Sequence, residues 1–151
     1  MTDLTRRELA QAPKAPSVVS LIRSDALSDA AEYAYAATAP AGSRLLFLAG
    51  ACPINLDGIV ADVGDYAAQA LVAFDNLVLA LDAAGATIDD VISTRVLVAS
   101  SNRSDLVTAW EIVRDAFGEH DPPSTLLGVT VLGYHHQLVE IEAVAALAPS
   151  A

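Results

Sequence analysis

The chain has 151 residues, 54% of them hydrophobic and 18% charged, which is enough to bury one sizeable core and too little for two comfortable domains. Its formal net charge of −11 with only 8 Lys and Arg excludes a polyanion, so no nucleic acid partner is expected: neutralising phosphates takes clustered cations. The mean hydropathy is +0.44, yet Gln69, Asp75, Asn76 and Asp82 break the most apolar stretch before it reaches the ~18 residues of a membrane span, so the surplus predicts surface buried between subunits.

In chain order, residues 1–16 carry Pro13, Pro16 and mixed charges and read as a flexible N-terminal arm before one domain over 17–151. The arm lacks the apolar stretch of a signal peptide, and the single Cys52 cannot form an intrachain disulfide, so a cytoplasmic protein is expected. SVVSLIR, YAYAAT and RLLFLAGA are β-type runs separated by turn-rich segments and read as successive hairpin strands. From Asp65 to Ala84 the apolar positions Ala67, Leu71, Phe74, Val78 and Leu81 recur at helical steps, and Gly85 stands where a C-terminal cap is expected. VISTRVLVA reads as a β-branched strand. A second helix follows through Leu106, Ala109, Trp110, Val113 and Phe117 to Gly118, and then two strands, STLLGVTVL and QLVEIEAVAAL.

The order is a β-hairpin region, then β-α-β-α-β-β: an α+β fold with two helices on one face of a mixed sheet. Strand alternation puts Ile92, Thr94, Val96 and Val98 toward the helices, leaving Val91, Ser93, Arg95 and Leu97 on the far face with Leu138, Glu140 and Glu142. A face that mixes apolar residues with a few charges suits a subunit interface containing a polar site. Two neighbouring carboxylates there are costly without a cation, so Arg95 is expected to pair with Glu142 or Glu140, and its loss to cost about 3–5 kcal/mol if the pair is buried.

The run FLAGACPINLDGIVADVGDYAAQALVAFDNLVLALDAAGATIDDVISTRVLVA, followed by DLVTAWEIVRDAFG, PPSTLLGVTVL and VEIEAVA, resembles the Rid family of reactive intermediate deaminases, also grouped as YjgF-like or L-PSP endoribonuclease-like proteins. The likeness spans about residues 33 to 147, and rests on the order of the Ala-Gly-x-x-Pro strand end, the Q…NL…L…AG helix and the closing EIEA. It implies a chorismate-mutase-like fold, a homotrimer with inter-subunit clefts, a small-molecule metabolite as ligand, and hydrolysis of enamines and imines to keto acids and ammonia without a cofactor.

Carried over residue by residue, the resemblance makes Glu140 the cleft glutamate that handles the attacking water and Gly50 the cleft wall. Tyr33 is the cleft tyrosine, with Tyr35 as its rival. The family's carboxylate-binding arginine falls on Ser124, or on Thr125 one register over, and its helix asparagine on Trp110. Neither hydroxyl is cationic, so the resemblance implies a divergent member with altered or weak deaminase activity, or a trimer that binds a metabolite or protein without catalysis. His120, His135 and His136 lack ligand spacing, and no metal is expected. Cys52 is expected as a small buried thiol, Trp110 as a packing residue, and Glu142 as an ion-pair partner.

Overall fold

A computed structural model describes residues 15–151; the greater part of the expected N-terminal arm lies outside them. The elements are β1 (Ser20–Ile22), β2 (Ala36–Thr38), β3 (Arg44–Phe47), α1 (Tyr66–Ala83), β4 (Val91–Ala99), α2 (Arg103–Phe117), β5 (Ser124–Val129) and β6 (Val139–Leu147). A mixed sheet of order β3-β6-β4-β5 carries the fold, with β4 and β5 parallel and the other neighbours antiparallel. The α+β architecture is as the sequence predicts, with one difference in pairing. β1 and β2 form a hairpin of their own, whereas β3 leaves it to pair with β6 at the far end of the chain.

The helices are bounded by local chemistry. The Asp65 side chain caps α1 by accepting from the Ala68 N–H at 3.0 Å, and Asn102 caps α2 by accepting from Ser104 at 3.2 Å. Gly85 and Gly118 follow the helices with φ of 78° and 68°, values that a side chain resists. Both helices cover one face of the sheet and meet each other through an edge-to-face contact between Phe74 and Phe117, whose ring centroids are 5.1 Å apart.

Two expectations about faces need correction. On α1 the buried stripe is Ala70, Ala73, Phe74, Leu77 and Leu81, while Leu71 and Val78 are exposed. The small alanines, which hydrophobicity ranks low, let the helix approach β6 closely, and this sets the phase. On β4, Val91 is fully buried in the core rather than on the far face. The register against β6 shifts between Val91 and Ser93, and such an irregularity inverts the side-chain alternation on its N-terminal side. Beyond it Thr94, Val96 and Val98 point inward as expected, with Val139 and Ile141 beside them.

Candidate functional site at the helix-free face

Register alone assembles the polar part of the helix-free face. Arg95 of β4 stands opposite Glu142 on one side and Thr125 on the other, and Leu97 stands between Glu140 and Leu127. Arg95 Nε donates to Glu142 Oε2 at 2.6 Å, and Nη2 lies 2.5 Å from the same oxygen, so the expected ion pair forms, with Glu142. The two side chains retain 59% and 35% of their exposure, which makes this a solvated pair worth about 0.2–1 kcal/mol and not the buried one first costed. Leu45, Phe47 and Leu127 add exposed apolar surface to the sheet, Phe47 at 78%.

Beside the ion pair runs an open groove of about 650 Å³. Four sequence-predicted residues, Tyr33, Gly50, Ser124 and Thr125, line it with Tyr35, Arg95 and Glu142. The tyrosines arrive because the fully buried Ala34 anchors their segment, its N–H donating to Asp121 O at 2.8 Å. Tyr35 and Tyr33 both reach the groove. Tyr35 spends its hydroxyl on the Ser28 carbonyl, whereas no hydrogen bond ties the Tyr33 hydroxyl to another described residue. Trp110 does not line the groove. It braces Tyr33 from behind, edge to face at 5.7 Å, and its Nε1 donates to Glu32 at 3.2 Å. Arg114 donates to the same Glu32 oxygen at 2.6 Å and, with Trp110, holds that carboxyl below the usual carboxylate range.

Glu140 is placed differently from Glu142. Its Oε2 accepts from Gln137 Nε2 at 3.0 Å and from the Cys52 thiol at 3.5 Å. Gln137 is 4% exposed, and its own orientation is set from both ends: Oε1 accepts from the Tyr134 N–H at 3.0 Å, and Nε2 also donates to Val139 O at 3.2 Å. The other carboxylate oxygen, Oε1, lies directly over Gly50, where an added Cβ would stand 1.9 Å away. That approach needs glycine, and a pair of backbone bonds between Ala51 and Ile141, at 2.7 and 3.0 Å, holds the segment against β6. Gly50 also borders a second groove of about 810 Å³, lined in part by Cys52, Asn76 and Tyr134. Glu140 itself lines neither groove; its Oε1 lies over Gly50, the residue the two share, while Glu142 is the carboxylate that lines the first groove.

Cys52, expected as a small buried thiol, is only partly buried and has the Glu140 carboxylate beside it. Burial first, and then the nearby Glu140, push its thiol up to about 11, so it stays a neutral donor and is a poor nucleophile. Gln137 was missed altogether: it precedes the last strand without any periodic signal, and the contact between Cys52 and Glu140 joins positions 88 residues apart. His120 is tied to Val91 O at 2.8 Å, the rings of His135 and His136 touch at a tilt of 54°, and among the described residues no three His, Cys, Asp or Glu side chains gather as a metal set.

The arrangement thus offers a carboxylate with one oxygen immobilised by two donors and the other free to take a proton, next to a groove edged by hydroxyls and one guanidinium. Residues 24–147 match the family model described as Endoribonuclease L-PSP. The fold is similar to that of YyfB from Yersinia pestis, a Rid-family protein of unknown function, with 26% identity, a TM-score of 0.78 and coverage of 86% of this chain and 99% of the other. Rv2704 from Mycobacterium tuberculosis, a member of the YjgF/YER057c/UK114 family, is 31% identical, with a TM-score of 0.58 and coverage of 85% and 99%. Yeast YEO7 shares the fold at 22% identity and a TM-score of 0.63, over 86% and 99% of the two chains. No curated protein sequence matches significantly. With the family model matched over most of the described residues, the chain belongs to the Endoribonuclease L-PSP family, the group also called Rid or YjgF proteins.

Proposed function

We propose that the protein assembles as a homotrimer through its helix-free face and hydrolyses small enamines or imines in the clefts between subunits, with Glu140 as the water-handling base. The observation that carries the reading is the asymmetry of the Glu140 carboxylate: Gln137 and Cys52 occupy Oε2, and Oε1 is left over Gly50. A water hydrogen-bonded to Oε1 gives up a proton as its oxygen attacks the imine carbon. Glu140 then returns the proton to the nitrogen to give a carbinolamine; its hydroxyl proton passes by way of the same carboxylate to the nitrogen as the C–N bond breaks, and ammonia leaves with a carbonyl product. Water is the only co-reactant, and no cofactor enters the balance.

The exposed Leu45, Phe47 and Leu127 support assembly through this face, since exposed apolar surface on a sheet is commonly an interaction site. Ser124 and Thr125, standing where the resemblance places a cation, favour a second reading in which the same trimer binds a metabolite or protein partner without turnover. They also lead us to expect weak activity on 2-imino acids. The RNA cleavage that the family description suggests is opposed by the charge of −11. Light scattering and an ammonia-release panel test the proposal together. A mass of three chains, with release from acyclic N-unsubstituted imines or freshly generated 2-aminoacrylate, supports it; a micromolar monomer contradicts the assembly, and a trimer inert across the panel supports the second reading.

A further inference from the structure

We infer that Arg95 is the anion-binding residue of the first groove, that the group it receives is a small carboxylate, and that Glu142 is the internal competitor that sets its affinity; the inference rests on the groove being the ligand site. Arg95 is the one cation among the residues lining this groove, in a protein whose overall charge repels anions. Its guanidinium holds Glu142 through Nε and Nη2, both on Oε2. Nη1 is left without a partner among the described residues. A planar guanidinium with an unused edge is suited to a second carboxylate.

One neighbour supplies a matching donor. Thr125 is directly across from Arg95 in the β4–β5 register, with its hydroxyl at the groove. Ser124, opposite Thr94, turns the other way: its Oγ accepts from the buried Thr94 hydroxyl at 2.8 Å on the helix side of the sheet. One guanidinium edge and Thr125 thus share one wall, and the only acceptor charge lining the groove is Glu142. The cation absent from positions 124 and 125 is thereby provided one strand over, but half neutralised, and the expected carboxylate recognition is weak.

Propanoate and propanamide, which share a shape and differ in charge, distinguish this clamp from a merely structural ion pair. Binding to the assembled protein is measured by calorimetric titration or ligand-observed NMR for wild type, Glu142→Gln and the double variant Arg95→Gln/Glu142→Gln, whose cross-strand amide pair keeps the strands matched. Propanoate is expected to bind wild type weakly and Glu142→Gln about three- to fivefold more tightly, the size of effect that releasing an exposed ion pair gives. The double variant is expected to lose it, and propanamide to bind none of the three measurably. Unchanged or weaker propanoate binding to Glu142→Gln, retention in the double variant, equal binding of propanamide, or no propanoate binding at all would each overturn the inference. Failure of the proposed hydrolysis is read separately, as absence of ammonia release from imines that carry no carboxylate.

Discussion

Gly50→Ala isolates the contact on which the site depends. The new Cβ would lie 1.9 Å from Glu140 Oε1, 2.7 Å from Cδ and 3.0 Å from Cγ, all side-chain atoms near the far end of a flexible residue. The strand pairing therefore stays and the carboxylate moves. Moving it breaks the bonds from Gln137 and Cys52, and hydrogen bonds to a charged group are worth about 1.5–3 kcal/mol each. A displaced carboxylate regains water on one side, and alanine restricts the unfolded chain more than glycine by about 0.4–1 kcal/mol. The net loss is expected near 2 kcal/mol, which lowers Tm by about 4–8 °C for a chain of this size. A second readout excludes a nonspecific effect. With Glu140 removed from its side, the Cys52 thiol loses two of the causes that raise it, and its alkylation by iodoacetamide at pH 8 should accelerate. An unchanged Tm together with an unchanged alkylation rate would refute the placement of Glu140 over Gly50.

The remaining expectations follow from the same geometry. In the wild type the Cys52 thiol is raised from 9.0 to about 11, so alkylation should stay slow until the pH approaches 11, and the rate profile checks this directly. The folded thiol keeps its proton where the unfolded one loses it, so this stabilisation is complete below pH 9 and declines as the pH rises toward 11, an effect that Cys52→Ser removes from a stability–pH series. Leu77→Ala, at a fully buried position between α1 and the sheet, should cost about 2–5 kcal/mol in denaturant titration. Arg95→Ala should cost no more than about 1 kcal/mol in a monomeric variant, since its pair with Glu142 is solvated there; a loss several times larger would show that the pair is desolvated.

The parts of this molecule that periodicity encodes could be read from its sequence. Alternation in β6 puts Glu140 and Glu142 on one face, and the inward set Thr94, Val96 and Val98 was equally plain, because one side of each strand must be apolar. Caps at Asp65 and Asn102 bound helices that the apolar spacing already indicated. What escaped was whatever depends on close approach or long-range pairing. The alanine stripe of α1 carries little hydrophobic signal although it sets how near the helix lies, and the register shift beside Val91 is one residue in size. Nothing local pairs β3 with β6. Within the site, Tyr33, Gly50, Ser124 and Thr125 could be named only through the family resemblance, and the fold brings all four to the lining of one groove. The Gln137 and Cys52 contacts could not, since they exist only after the loop before β6 has folded against the Gly50 segment. Trp110 was read both as packing and as binding, and its place behind Tyr33 makes it a support.

The central claim is that Glu140 Oε1 moves a proton for an attacking water, and the most direct measurement compares ammonia release from the best acyclic, N-unsubstituted imine of the panel by wild type and by Glu140→Gln under single-turnover conditions. The amide keeps the size of the side chain and cannot accept that proton, so the account predicts a loss of about 10²–10⁴-fold in rate with the oligomeric mass unchanged. Turnover by Glu140→Gln within a few-fold of the wild-type rate would contradict it.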